Sequence, residues 1–212
     1  MKKQKTFFWA LFMLIFFILW TTAICFIDVA AIGPSETTVG FSTINHLVHN
    51  LTGTNMVLYT VTDWLGLVPL MFVMCFALLG LFQWIKRKHI LKVDFNILVL
   101  GVFYVVVFAI FLFFEYFVIN YRPVLIDGIL EASYPSSTTM LVICVMPTAI
   151  IQFKERIKNN LLKRCIIFLI VAFIIFMVIG RLISGVHWFS DIIGGALLSS
   201  GLVGMYIFVL QF

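Results

Sequence analysis

The sequence predicts an all-α, six-transmembrane helix bundle. Three observations lead there: a composition too apolar for a water-exposed chain, six apolar runs of membrane-spanning length, and basic residues gathered in alternate connections. Of the 212 residues, 63% are hydrophobic and 11% charged, and the mean hydropathy is +1.16, whereas soluble domains carry about 25% charged residues. A single integral membrane domain over residues 1–212 is expected, with no internal repeat or low-complexity tract.

A hydrocarbon core about 30 Å thick needs roughly 20 predominantly apolar residues per helix. The runs that qualify are 7–27 (FFWALFMLIFFILWTTAICFI), 57–84, 95–119, 136–153, 165–183 and 190–211. A signal-peptide reading of the first run is set aside because it is long and has no small-residue cleavage site near Cys25. Lys2, Lys3 and Lys5 precede run one. Lys86, Arg87, Lys88 and Lys92 separate runs two and three, and Lys154, Arg156, Lys158, Lys163 and Arg164 separate runs four and five. These are twelve of the fourteen basic residues, and the positive-inside rule puts both termini and both basic loops in the cytoplasm. The net charge of +5 is thereby absorbed by topology, leaving no basic surface for nucleic acid. The long outer loop 28–55 ends in an amphipathic stretch, Ile44 to Leu51, expected to lie along the membrane surface. Small residues Gly194, Gly195, Ala196, Ser199, Ser200 and Gly201 give run six a face for close helix packing. Cys25, Cys75, Cys144 and Cys165 lie inside apolar runs without disulfide or zinc-ligand spacing.

Arg122 and Arg181 break the charge bias, both near the outer ends of spans, and charge at such depth is a functional signal; the plain alternative is that each reaches for the outer headgroups. Beyond Arg122 comes Tyr134-Pro-Ser-Ser-Thr-Thr139, opening run four. Backbone N–H groups at a helix start lack intrahelical partners and suit a phosphate, although ordinary capping by Ser133 or Ser136 accounts for the same residues. Beyond Arg181 come His187 and Asp191. If run six begins near Trp188, their spacing lets the carboxylate hold one imidazole nitrogen and leaves the other as an oriented nucleophile; a merely structural His–Asp bond fits equally. Two arginines, a helix start and a histidine on one side of the membrane point to phosphoryl chemistry.

These pieces resemble the type 2 phosphatidic acid phosphatase superfamily, whose pattern is Lys-x6-Arg-Pro, Pro-Ser-Gly-His and Ser-Arg-x5-His-x3-Asp. Arg122-Pro123, Pro135-Ser136 and Arg181, His187 and Asp191 match in order and spacing. The resemblance implies a membrane lipid phosphate phosphatase in which His187 attacks phosphorus to form a phosphohistidine and Asp191 orients it. Arg122, Arg181, Ser136, Ser137 and Thr138, with nearby backbone N–H groups, would hold the phosphoryl oxygens, with no metal or other cofactor. The implied partners are a lipid phosphate or diphosphate and the bilayer, in a bacterial plasma membrane, with the site on the outer side.

Other positions depart from the pattern. Glu115 stands where the family has lysine, Thr138 where it has the histidine that protonates the leaving group, and Gly180 where it has serine. Without that acid, a diphosphate is the favoured substrate, since a phosphate departs more readily than an alkoxide; a polyprenyl diphosphate fits. Glu115 is expected to pair with Arg122, two helical turns on, with an auxiliary acid role as the alternative. Other expected classes are a non-catalytic phospholipid-binding or transport-related relative and a lipid phosphotransferase.

Overall fold

A computed structural model of the chain describes residues 2–211. Helix α1 (Lys2–Phe26) leads into a short antiparallel pair, β1 (Ala30–Ala31) and β2 (Thr38–Val39), then α2 (Ser42–Thr52), α3 (Met56–Leu65), α4 (Leu67–Arg87), α5 (Phe95–Tyr116), α6 (Ser137–Arg156), α7 (Asn160–Ile183) and α8 (Phe189–Val209). Among the described residues, six spans are long and apolar enough to cross a membrane, α3 and α4 together making one of them. Large apolar side chains such as Phe8, Phe82, Phe108 and Phe168 stand exposed on the outside of the bundle, as lipid-facing residues do. The chain is a multi-pass membrane protein.

The boundaries differ from the sequence expectation in two informative places. Run 57–84 is two helices meeting at Gly66, whose N–H bonds back to the carbonyls of Thr62 and Asp63. Run 95–119 stops at Tyr116, and Phe117 leaves helical geometry (φ −98°, ψ 81°). The stretch 44–51 is helical, within α2, and it is anchored as well as amphipathic. Buried Asn45 accepts a hydrogen bond from the Ser190 backbone N–H (3.0 Å) and donates to Ser190 Oγ (2.9 Å), so α2 satisfies donors at the start of α8. Asp28 holds the start of α2 in turn, accepting from Ser42 Oγ and the Thr43 N–H, both at 2.8 Å.

Helices α1 and α8 form the most extensive pair, and small residues explain it. A Cβ at Gly204 would lie 2.8 Å from the Ala10 side chain, and one at Gly201 2.7 Å from Leu14. Two helical turns before Gly201, Gly194 lets the Tyr134 ring pack against α8, where a Cβ would come within 2.4 Å of it. The core between α1, α5, α6 and α8 is filled by Phe17, Leu100, Phe103, Val107, Tyr134, Met140 and Tyr206. The α4–α5 and α6–α7 connections, which carry the basic clusters, close one end of this bundle. The ends of α1, α5 and α7 and the starts of α6 and α8 meet at the other.

Candidate functional site

Arg122, Arg181, His187 and Asp191 all lie at that second end, although they come from the α5–α6 connection, the end of α7, the loop after it and the start of α8. The first segment is a hairpin between α5 and α6. Asp127 (φ +49°) and Gly128 (φ +78°) make the tight turn, Ile126 and Ile129 exchange backbone bonds around it, and Tyr121 bridges to Ala132. Both turn residues need a left-handed backbone, which Asp-Gly adopts readily. The register ties the Arg122 N–H to the Glu131 carbonyl (3.1 Å) and the Ser133 N–H to the Asn120 carbonyl (2.9 Å). Asn120, Arg122 and Ser133 therefore approach the site together.

The second segment, Ser184 to Trp188, joins α7 to α8. Gly185 has φ +67°, and a Cβ there would lie 1.8 Å from the Gly53 carbonyl oxygen, so the link between α2 and α3 packs directly on this loop. The Asn55 N–H also donates to the Ser184 carbonyl (2.9 Å). His187 sits in the loop, since α8 begins only at Phe189. Its ring does not bond Asp191 directly, as helical spacing had suggested. Ser133 Oγ stands between them, 3.0 Å from His187 Nδ1 and 2.5 Å from Asp191 Oδ2. Asp191 also accepts from Asn120 Nδ2 (3.1 Å) and the Trp188 N–H (3.0 Å), so its buried carboxylate is fully engaged.

This chain fixes the tautomer from both sides. The single Ser133 proton goes to the carboxylate, so Ser133 accepts from Nδ1–H, while Arg181 Nη2, which can only donate, lies 3.1 Å from Nε2. Nε2 therefore carries a lone pair. His187 is 3% exposed. Burial first, and then the charges of Arg181 and Arg122, hold its pKa well below the ordinary histidine value, so the ring is neutral at pH 7.

Both guanidiniums are buried and neither is fully partnered. Arg181 Nη1 lies 3.4 Å from Thr62 Oγ1 and 3.7 Å from Asp63 Oδ1. Arg122 Nε lies 3.1 Å from Glu131 Oε2, close enough for an ion pair but with its N–H not aimed at the oxygen. Arg122 Nε and Nη1, Arg181 Nε and Ser136 Oγ are left without hydrogen-bond partners. Tyr59 of α3 lies under both cations, its ring centre 5.0 Å from the Arg181 guanidinium carbon and 5.8 Å from that of Arg122.

Ser136 caps α6 by position, and its own N–H donates to the Asp191 carbonyl (3.1 Å). The first intrahelical bond is made by the Met140 N–H, which leaves those of Ser137, Thr138 and Thr139 without intrahelical partners. The Ser137 and Thr138 side chains border a different space, an apolar cavity of about 550 Å³ lined also by Asp63, Leu70, Phe108 and Phe111. Glu115 is exposed at the end of α5 and makes no salt bridge with Arg122. The helix that would have aligned the two ends at Tyr116, and Arg122 is drawn into the hairpin, where the following proline favours extended backbone. Asp63, Tyr59, Asn120, Ser133 and Asn45 join the site region without having been singled out as site residues from sequence. Only the hairpin had a readable signal, the Asp127-Gly128 pair between apolar residues.

The fold and the site together define a class: a multi-pass helical membrane protein with a neutral histidine and two under-partnered arginines buried at one end. Comparison narrows it. Residues 113–211, which take in Arg122, Ser133, Arg181, His187 and Asp191, match the PAP2 superfamily. The whole chain is similar in fold to the crystal structure of a transmembrane PAP2-type phosphatidylglycerolphosphate phosphatase from Bacillus subtilis, with TM-score 0.61, 16% identity and 96% of each chain covered. No curated protein sequence matches significantly. The site residues thus lie within the stretch of the chain that matches the PAP2 superfamily.

Proposed function

We propose that the protein is a membrane lipid phosphatase that uses His187 as a nucleophile on a lipid phosphate or diphosphate. The observation that carries this reading is His187 Nε2, which lies 3.1 Å from Arg181 Nη2 beside buried N–H groups of Arg181 and Arg122 that have no partner. Nε2 forms a bond to phosphorus while the phosphorus–oxygen bond to the lipid breaks, the electron pair leaving with oxygen; water then releases phosphate from the histidine. Arg122, Arg181, Ser136 Oγ and the free amides of α6 are placed to hold the phosphoryl oxygens, whose charge rises in the transition state. Asp191 holds the imidazole through the site's hydrogen bonds and offsets the positive charge it gains.

The apolar cavity beside Ser137 and Thr138 supports a substrate with a long hydrocarbon chain. Where the family places its acid this chain has Thr138, a hydroxyl too weakly acidic to protonate an alkoxide, which favours a diphosphate such as a polyprenyl diphosphate. We place the site on the outer face and both termini in the cytoplasm, since the basic connections close the opposite end.

Phosphate release by the purified protein from phosphatidic acid, phosphatidylglycerolphosphate and a polyprenyl diphosphate tests the reading. Turnover that is fastest on the diphosphate and abolished in His187→Ala is expected; equal rates in the two proteins would refute it. A non-catalytic phospholipid-binding role draws on one observation, that each arginine already has a carboxylate within 4 Å, Asp63 at 3.7 Å and Glu131 at 3.1 Å. Lipid phosphate binding without release by the wild-type protein would establish that role instead.

A further inference from the structure

We propose that Ser133 is a positioning residue of the phosphoryl-transfer site, and that Asp191 acts on His187 only through its hydroxyl. The inference rests on the phosphatase reading and adds to it a residue outside the motif pattern. Ser133 is 2% exposed, and its Oγ contacts both partners, at 2.5 Å to Asp191 Oδ2 and 3.0 Å to His187 Nδ1.

An ordinary capping role does not account for this hydroxyl. Helix α6 begins at Ser137 with Ser136 at the cap position, and Ser133 is bound by its N–H into the hairpin, facing Asn120. Asn120 and Ser133, paired across the hairpin, reach the two oxygens of one carboxylate, Oδ1 and Oδ2. The hairpin thus carries the connection between α8 and the loop that holds His187. The carboxylate, engaged by the Trp188 N–H and Asn120, makes no direct hydrogen bond to the imidazole, so its negative charge reaches Nδ1–H by way of the serine.

No proton need change owner along this chain. Nδ1 keeps its hydrogen while Nε2 gains the phosphorus and the ring becomes positive; the hydrogen bond to Ser133, polarised by Asp191, strengthens as that charge appears. Removing the hydroxyl leaves Nδ1–H buried without a partner at that moment. Losing one hydrogen bond to a charged group slows turnover by about 10- to 100-fold. Binding of the lipid itself, remote from Nδ1, is little changed, so the loss appears in kcat rather than KM.

The experiment is a double-mutant cycle in the full-length protein in lipid nanodiscs, with Ser133→Ala, Asp191→Asn and the pair together. Two readouts are taken: kcat and KM for phosphate release, and the affinity for orthovanadate, a transition-state mimic that binds without turnover. Ser133→Ala is expected to lower kcat and weaken vanadate in parallel, Ser133→Thr to recover most of the loss, and Ser133→Ala to add little once Asp191→Asn is present. Effects of the two single changes that multiply to within about twofold, the behaviour of independent sites, overturn the proposal, as does a Ser133→Ala protein with wild-type kcat. If Ser133→Ala does not fold, Ser133→Cys, of similar size with a weaker donor, carries the same comparison. Wild-type protein that neither binds vanadate nor releases phosphate refutes the phosphatase reading and this inference with it; an active wild type with a silent Ser133 refutes the inference alone.

Discussion

Replacing Tyr59 by leucine should destabilise the protein more than the change in apolar area predicts. The Tyr59 ring lies 5.0 Å from one guanidinium and 5.8 Å from the other, and both arginines are buried, with neither fully neutralised by a carboxylate. A cation over a ring face contributes about 0.5–2 kcal/mol, the upper end when desolvated. The nearer pair is then worth about 1–2 kcal/mol and the farther about 0.5 kcal/mol, giving roughly 2 kcal/mol together. For a chain of this length, 1 kcal/mol corresponds to about 2–4 °C in melting temperature, so Tyr59→Leu should melt roughly 4–8 °C lower. Thermal unfolding in detergent measures this, with Tyr59→Phe as the control. The tyrosine hydroxyl makes no hydrogen bond among the described residues, and phenylalanine keeps the ring face. A phenylalanine variant that melts as low as the leucine one, or a leucine variant that melts with wild type, would show that the ring does not hold the arginines.

Three further outcomes follow from the same geometry. The pKa of folded His187 lies below its usual 6.5, so below that pH the unfolded chain takes up a proton that the folded one refuses; stability is full above about pH 6.5 and falls as pH drops. Comparing wild type with His187→Gln between pH 7.5 and 5 should show a steeper loss in the wild type, and parallel curves would contradict the shift. Asn45→Ala removes a buried amide that bonds Gly40 and both the N–H and hydroxyl of Ser190, and should cost about 2–3 kcal/mol in denaturant unfolding. Gly185→Ala forces a side chain onto a φ of +67° and against the Gly53 carbonyl; a loss of phosphate release accompanying a loss of at least about 1 kcal/mol of stability is expected.

The six spans were readable because the bilayer imposes a length and a polarity on each segment that few sequences meet by accident. Arg122, Arg181, His187 and Asp191 were readable for the converse reason: a charge is costly next to hydrocarbon, so its presence asks for an explanation. Ser133, Asn120, Tyr59 and Asn45 carry no such cost. A small polar or aromatic residue in a connection becomes meaningful only when the hairpin and the α2–α3 link fold back onto α8. The expected Glu115–Arg122 pair failed because it extended a helix by its apolar content past Phe117, where the backbone turns out of it. The direct His187–Asp191 bond failed similarly: helical spacing was applied to a residue that precedes the helix.

The electrostatics of the site favour the order of events proposed for it. Burial, and then the two guanidiniums beside His187, keep the imidazole neutral before an anion binds, which preserves the Nε2 lone pair a nucleophile requires. Phosphate bound between Arg122 and Arg181 would bring negative charge to the same place and offset the two cations. The cost of a positive imidazole would fall just as the bond to phosphorus creates one. Asp191, fully engaged and reaching Nδ1 only through Ser133, supplies a fixed negative charge on the far side of the ring. An imidazole bordered by arginines alone could receive an anion but would resist becoming a cation. One bordered by a carboxylate alone would be protonated early and lose its lone pair. The placement of both kinds of charge on opposite edges of His187 suits a group that must be neutral before the reaction and positive during it.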